Sequence, residues 1–210
     1  MSTRLIYVMD PMCSWCWGFA PVAQALAEQA RACGVGMQLV VGGLRRERLV
    51  MDSAGRERTL SYWRAVHEAS AQPFDLEQGL PDGLIYDTEP ACRALVAARV
   101  LDEQSVWPLA LRIQQAFYVE RCDVTLPQQL VGLAESVGLP RGEFSDRFDS
   151  QTIRDATVAD FDWARNLGIA GFPTLLAEHD GQLALLNNGY QPLAALSPLL
   201  ARWLERNAHA

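Results

Sequence analysis

The chain contains no lysine, because all eighteen of its basic residues are arginines. Enzymes that form a Schiff base with their substrate, and enzymes that bind pyridoxal phosphate, need a lysine amine. The phosphate-binding loop of the common nucleotide hydrolases also uses a lysine, and the sequence has no glycine-rich motif of that kind. These absences exclude several large classes of enzyme.

The chain also lacks a net positive charge and long apolar runs. The 210 residues carry a formal net charge of −7, which argues against nucleic acid or an anionic membrane as a partner. No segment approaches the roughly 18 apolar residues of a membrane-spanning helix. The first residues lack the apolar core of about 7 to 15 residues that a secretory signal needs. We therefore expect a cytoplasmic protein with no membrane or nucleic-acid partner.

Two of the five cysteines are separated by only two residues, in the stretch MDPMCSWCWGF. We interpret the isolated Cys33, Cys92 and Cys122 as small buried hydrophobes. Cys13 and Cys16 could hold a metal, form a structural disulfide or exchange electrons. A zinc site needs four ligands, and the other cysteines and histidines form no second pair, so we expect no metal. A structural disulfide across so short a loop would restrain little of the unfolded chain.

The predicted secondary structure places this pair at the start of a helix. Residues 4–9 predict a strand, residues 13–33 favour a helix, and residues 37–43 predict a second strand. The cysteines therefore lie where the first strand of a βαβ unit passes into its helix. The free N–H groups and the dipole at that point favour a thiolate on Cys13. We expect Cys13 to attack a disulfide and Cys16, one turn further on, to resolve the mixed disulfide.

The rest of the chain divides into a helical block and a terminal ββα unit. Residues 44–167 contain five stretches with apolar residues at intervals of three and four, and no convincing strand. Residues 172–178 and 183–187 predict a hairpin with Asp180 and Gly181 in its turn. An amphipathic helix then closes the chain.

A second motif, GIAGFPTLL, places Pro173 just before this hairpin. CSWC after a first strand and GFPT before a terminal ββα unit resemble the thioredoxin-fold oxidoreductases. The helical insertion resembles that of the DsbA family, and more narrowly its FrnE-like branch without a signal peptide. The resemblance implies an α/β thioredoxin fold, βαβ…ββα, split between residues 1–44 and 168–210. A large all-helical insertion would occupy residues 45–167.

The resemblance also implies which residues form the site. Pro173 would form a cis peptide with Phe172, and the free backbone groups of Phe172 would pair with an extended substrate. Ser14, Trp15 and Thr174 would contact the same substrate. The redox-active disulfide would need no cofactor, and glutathione is a candidate reductant.

The sequence departs from the family pattern at two places. DsbA has a histidine between its cysteines, whereas Ser14 and Trp15 are uncharged, so we predict a reduction potential nearer that of thioredoxin. The family also has a buried acid six residues before the first cysteine, where this chain has Tyr7. Asp10 is the nearest carboxylate, and it either relays a proton for Cys16 or forms a turn.

A cluster of arginines follows the second predicted strand. It comprises Arg45, Arg46, Arg48, Arg56 and Arg58. Such clusters are usually solvated faces, but this one could also receive the carboxylates of glutathione or of another anion.

We therefore predict a thiol–disulfide oxidoreductase or isomerase that acts on protein or small-molecule disulfides as a monomer or homodimer. The alternative is a glutathione-dependent isomerase or transferase. The kappa-class transferases and the 2-hydroxychromene-2-carboxylate isomerases resemble the same split fold, although they generally have a serine at the position of Cys13. A third interpretation, a binding module that uses an aromatic groove, requires both thiols to be idle.

Overall fold

The computed structural model describes residues 3–207 of the chain. In chain order the strands are β1 (Thr3–Met9), β2 (Gly36–Val41), β3 (Arg46–Val50), β4 (Ile85–Asp87), β5 (Thr174–His179) and β6 (Gln182–Asn188). The helices are α1 (Ser14–Ala32), α2 (Ser53–Ser70), α3 (Glu89–Leu101), α4 (Val106–Tyr118), α5 (Pro127–Ser136), α6 (Arg141–Asp149), α7 (Gln151–Asn166) and α8 (Leu193–Asn207). None of these helices is both long enough and apolar enough to cross a membrane.

Four of the strands form a central sheet in the order β2-β1-β5-β6. β1 and β2 run parallel, and β5 runs antiparallel to both β1 and β6. The β5–β6 hairpin closes at Asp180 and Gly181, whose φ angles of 48° and 79° belong to a tight turn with two left-handed residues. The predicted βαβ and ββα units are therefore confirmed, and β1 is the strand that joins them.

The side chains of β1 alternate between two hydrophobic clusters on opposite faces of the sheet. Leu5, Tyr7 and Met9 belong to the larger cluster, which also contains the buried side of α1. Ile6 and Val8 belong to a smaller cluster that includes a residue of α7. The start of α1 and the odd-numbered residues of β1 therefore share one core.

The helical block is built around α3 and is joined to the edge of the sheet. All residues from Ala91 to Ala98 are buried, and α4, α5, α6 and α7 pack around this helix. Arg99 of α3 makes two hydrogen bonds to the carboxylate of Asp160 in α7, and Asp160 also accepts from the backbone N–H of Val41. This half-buried ion pair connects the block to the end of β2.

The structure differs from the expectation of an all-helical insertion in one respect. β3 and β4 form a two-stranded antiparallel ribbon, which the sequence did not predict. β3 has the sequence RERLV and is exposed along its whole length, so it lacks the alternation that indicates a half-buried strand. α6 was also not predicted, because Phe144 and Phe148 are its buried residues and such a short apolar stripe is a weak signal.

Candidate active site

The two cysteines of CSWC lie at the start of α1, as predicted. The carbonyl of Cys13, the residue before the helix, accepts hydrogen bonds from the backbone N–H groups of Cys16 (3.0 Å) and Trp17 (3.1 Å). Cys13 is 5% exposed, whereas Cys16 is fully buried. Both are free thiols, and they lie within hydrogen-bonding reach of each other. Cys13 is therefore the cysteine nearer the surface, and Cys16 is the inner one.

The surroundings of Cys16 disfavour its thiolate. Burial raises the pKa of the Cys16 thiol well above its usual range, and the thiol of Cys13 acts in the same direction. The charge of Asp10 also raises this pKa, while a backbone hydrogen bond with Asp10 lowers it. Cys16 therefore needs further stabilisation whenever it acts as a thiolate.

The GFPT motif lies against Cys13. The Cys13 sulfur is 3.6 Å from the carbonyl oxygen of Phe172, which is 159 residues further along the chain. The peptide bond between Phe172 and Pro173 is cis, as the family resemblance implies. The carbonyl of Pro173 accepts a hydrogen bond from the backbone N–H of Gly189 (2.8 Å), just after β6. The two sequence motifs thus form one site.

The ring of Phe172 packs against the backbone of Gly42, a contact that the sequence did not predict. A Cβ atom at position 42 would lie 2.0 Å from this ring, so only glycine fits there without a rearrangement. On the other side of the cis peptide, Thr174 is buried and its hydroxyl donates to the carbonyl of Gly171 (2.9 Å). The side chain of Thr174 therefore shapes the loop.

Aromatic side chains surround the start of α1. Ser14 and Trp15 are half-buried, and the Trp15 ring lies 5.7 Å from the ring of Tyr190. Trp17 and Phe19 are buried in the core. Trp15 is therefore an aromatic residue of the site that stays partly open to solvent, as Tyr190 and Phe172 do.

Asp10 is fully buried, and its carboxylate oxygens accept four hydrogen bonds. The donors are the backbone N–H groups of Met12 (2.8 Å) and Leu44 (2.6 Å), the hydroxyl of Thr88 (2.6 Å) and the thiol of Cys92 (3.3 Å). Burial raises the pKa of Asp10, and these hydrogen bonds oppose that effect. The bond from Met12 forms the predicted turn, whereas a proton relay through Asp10 stays a prediction.

The inserted segment supplies a wall of the site that the sequence did not reveal. Thr88 and Cys92 contact Asp10, and the hydroxyl of Tyr86 donates to the carbonyl of Met12 (2.6 Å), directly before the cysteine pair. The guanidinium of Arg45 lies 4.7 Å above the Tyr86 ring. No local pattern marks these residues, because their partners are far away in the chain.

The structure divides the predicted arginine cluster. Arg46 pairs with Asp87 at 3.6 Å, and the guanidinium of Arg56 donates to two loop carbonyls. Arg45 and Arg58 instead line a cavity of about 210 Å³. Within residues 3–207 neither of these two arginines forms an ion pair.

The candidate site consists of two thiols, a cis-proline loop and a buried carboxylate. In the part of the chain that the structure describes, no three histidine, cysteine, aspartate or glutamate side chains converge in the way that metal ligands do. The arrangement suits thiol–disulfide exchange, which needs an accessible sulfur and a second sulfur within reach of it.

Comparison with known proteins agrees with this geometry. The sequence profile of the DSBA-like thioredoxin domain matches residues 4–201. The structure of a candidate protein disulfide isomerase from Nitrosomonas europaea has 38% identity and a TM-score of 0.91, over 98% of this chain and 99% of that one. The cytosolic disulfide reductase DsbM from Pseudomonas aeruginosa has 28% identity and a TM-score of 0.81, over 97% and 99% of the two chains. DsbM solved with GSH matches at 27% identity and a TM-score of 0.76, over 95% and 98%.

More distant relatives share less with the chain. The ClpXP adapter protein SpxH from Halalkalibacterium halodurans is 23% identical over 176 residues, which are 82% of this chain and 57% of SpxH. The chain therefore spans just over half the length of that relative. A structure of 2-hydroxychromene-2-carboxylate isomerase is 14% identical with a TM-score of 0.65, over 98% of each chain, and this likeness shows the fold alone.

Proposed function

Because the chain belongs to the family of DSBA-like thioredoxin domains, we propose that it is a thiol–disulfide oxidoreductase with Cys13 and Cys16 as its redox pair. The observation that carries the proposal is the 3.6 Å contact between the Cys13 sulfur and the Phe172 carbonyl oxygen. This contact joins the CSWC and GFPT motifs in one site. Similarity to a candidate disulfide isomerase and to the disulfide reductase DsbM supports the proposal.

Cys13 is the attacking residue in this proposal, because its sulfur lies nearer the surface. Its thiolate attacks one sulfur of the substrate disulfide, the substrate S–S bond breaks, and the second substrate sulfur leaves as a thiolate. Cys16 then loses its proton to that leaving thiolate and attacks the Cys13 sulfur. The first substrate sulfur leaves in turn and takes a proton from solvent. The cysteine pair ends as a disulfide, and the substrate has gained two electrons.

An extended substrate segment would bind along the cis peptide as an added strand. The ring of Phe172 is held against Gly42, while its carbonyl oxygen faces the cysteine pair. The substrate would therefore meet the backbone of Phe172. Ser14 and Trp15 are half-buried beside the same opening and would contact the substrate side chains.

We propose reduction or isomerisation in the cytoplasm as the direction and location of the reaction. DsbM is a cytosolic disulfide reductase with a structure that contains GSH, which supports glutathione as a partner here too. Two glutathione thiols would return the pair to the dithiol and leave as glutathione disulfide. Glutathione has two carboxylates, and Arg45 and Arg58 are the cations that would receive one of them.

Replacing each cysteine tests the redox pair. Cys13→Ser should abolish the reduction of insulin disulfides, because the attacking sulfur is lost. Cys16→Ser should accumulate a mixed disulfide on Cys13, seen as a mass adduct that dithiothreitol removes. Cys33→Ser removes an exposed thiol outside the site and should leave both measurements unchanged.

The alternative functions give different results in the same experiment. A glutathione-dependent isomerase, of the kind whose fold the chain shares, would keep its activity without Cys16. A binding module would tolerate the loss of both thiols. Full insulin reduction by Cys16→Ser, with no mixed disulfide formed, would contradict the redox pair.

A further inference from the structure

The hydroxyl group of Tyr7 is a buried polar group without an aligned hydrogen-bond partner among residues 3–207. Tyr7 lies in the middle of β1, paired with Leu39 on one side and Leu175 on the other, and is 1% exposed. A buried hydroxyl without a partner loses its hydrogen bonds to water and gains none in return. Such a group in a folded protein therefore calls for an explanation.

The ring of Tyr7 packs in the apolar core beside the cysteine pair. Its side chain points to the same core as α1, and its ring lies 6.1 Å from the ring of Phe19 and 5.8 Å from that of Trp107. The Cys16 sulfur interacts with this hydroxyl closely enough to raise the pKa of Tyr7, although no regular hydrogen bond joins the two. The polar group that acts most strongly on this hydroxyl is thus a reacting sulfur.

Tyr7 keeps its proton throughout the reaction. Burial raises the pKa of the Tyr7 hydroxyl well above its usual range, and the charges of Cys16 and Cys13 raise it further. The phenol is therefore a permanent donor. Cys16, in contrast, must become a thiolate in a position that is fully buried.

Asp10, another buried polar side chain beside the pair, cannot stabilise a thiolate on Cys16. Its carboxylate accepts hydrogen bonds and donates none, and its charge repels a thiolate on Cys16. A neutral O–H donor stabilises the thiolate of Cys16 instead, because a hydrogen bond to a charged acceptor is stronger than one to a neutral acceptor. The interaction of the Tyr7 hydroxyl with the Cys16 sulfur would therefore strengthen when Cys16 ionises.

We propose that Tyr7 donates its phenolic hydrogen to the Cys16 sulfur while that sulfur is a thiolate, and so assists the displacement of the substrate thiol from Cys13. This inference rests on the proposed redox function. In the step, a bond forms between the two cysteine sulfurs, the bond from Cys13 to the substrate sulfur breaks, and the electron pair leaves with the substrate thiolate. Tyr7 neither gains nor loses a proton.

The test isolates the step in which Cys16 attacks the mixed disulfide on Cys13. All variants carry Cys33→Ser and Cys122→Ser, because these two thiols are not buried and would release thionitrobenzoate themselves. The reduced protein is mixed with 5,5′-dithiobis(2-nitrobenzoate), which forms a mixed disulfide on Cys13, and the release of the second thionitrobenzoate is followed by stopped-flow absorbance across a pH series.

Tyr7→Phe removes the hydroxyl alone. Tyr118→Phe is a matched control, because its hydroxyl is also buried and without a hydrogen-bond partner in the described chain. The charges of Cys13 and Cys16 raise the pKa of Tyr118 as well, but neither thiol acts on it through a hydrogen bond.

We expect Tyr7→Phe to move the midpoint of this pH profile upward by about one unit. The thiolate population of Cys16 at neutral pH then falls about tenfold, and the greater nucleophilicity of the more basic thiolate recovers about threefold of that loss. Release should therefore be about threefold slower than in the wild type. Tyr118→Phe should keep the wild-type midpoint.

A fluorinated tyrosine at position 7 provides a second test that does not remove the hydroxyl. The fluorinated phenol is a stronger donor, so the midpoint should move downward. An unchanged midpoint in both Tyr7 variants, or an equal shift in Tyr118→Phe, would overturn the inference. Failure of Cys13 to form the mixed disulfide in the wild type would instead overturn the proposed function.

Discussion

Two buried polar groups flank Cys16, and they differ in how many hydrogen-bond partners they have. Asp10 accepts four hydrogen bonds from three separate segments of the chain. Tyr7, three residues earlier, has no aligned partner within the described residues. The comparison indicates two different roles. A fully bonded carboxylate fixes the turn that carries the cysteines, whereas an unbonded hydroxyl is free to respond when the neighbouring sulfur changes its charge.

The same contrast divides the arginines near the site. Arg46 and Arg56 are bound to a carboxylate or to loop carbonyls, so they hold the ribbon and the loop after α2 in place. Arg45 and Arg58 line a cavity and form no ion pair within residues 3–207. Arg46 and Arg56 therefore stabilise the structure around the site, whereas Arg45 and Arg58 are available to bind a reactant.

The largest effect on stability is expected from replacing Asp10, the buried carboxylate that accepts four hydrogen bonds. Asp10→Ala removes a buried acceptor of four hydrogen bonds and leaves three of the donors, those of Met12, Leu44 and Cys92, without an acceptor. We therefore expect the free energy of unfolding to fall by about 3 kcal/mol. Asp82→Ala, which removes an exposed carboxylate that pairs with Arg121, should cost less than about 1 kcal/mol. Denaturant unfolding measures both. An equal effect of the two substitutions would contradict the structural role of Asp10.

The charge of Asp10 also predicts a pH dependence. Burial raises its pKa in the folded state above the unfolded value, so the folded state binds the proton more tightly. The wild type should therefore gain stability relative to Asp10→Asn as the pH falls from neutral towards about 4, and lose that gain as the pH rises.

The same variant, Asp10→Asn, tests the predicted proton relay. Because the charge of Asp10 raises the pKa of Cys16, its loss should lower the midpoint of the Cys16 pH profile in either role. A turn residue should leave the maximal rate above that midpoint unchanged, whereas the loss of a relay residue should lower it.

A smaller effect is expected where packing alone holds the site. Gly42→Ala places a Cβ atom 2.0 Å from the Phe172 ring, so the ring and its loop must move. We expect a loss of about 1–3 kcal/mol in unfolding free energy and a slower reaction of Cys13 with disulfides. Gly36→Ala, at the first residue of β2, is the control, because no atom lies within 4 Å of its added Cβ. Unchanged activity in Gly42→Ala would show that the position of Phe172 does not matter.

The parts of the fold that the sequence predicted are those with a local signal. β1 and α1 have their own periodicities, and Asp180 with Gly181 marks the hairpin turn. β3 and β4 have no such signal, because the ribbon is short and one of its strands is fully exposed. Their pairing is decided by contacts with the rest of the molecule.

The residues of the site also divide into those with a local sequence signal and those without one. The cysteine spacing and its position before a helix are local features, and they led to the redox pair. The contacts of Asp10 with Thr88 and Cys92 span 78 and 82 residues, so no window of sequence contains them. Gly42 was missed for a related reason, since its importance depends on a ring that is 130 positions away in the chain (172 − 42).

The smallest expected effect is a change in the KM for glutathione when an arginine without an ion pair is replaced. Arg45→Ala should raise the KM for glutathione about three- to tenfold, because one half-buried cation of the cavity is lost while the cysteines keep their positions. Arg46→Ala is the control, since its charge is already shared with Asp87. Glu47 also lines the cavity, so Glu47→Gln should lower the KM slightly if a carboxylate binds there. Equal KM values in Arg45→Ala and Arg46→Ala would mean that glutathione, if it reacts at all, reaches Cys13 without using this cavity.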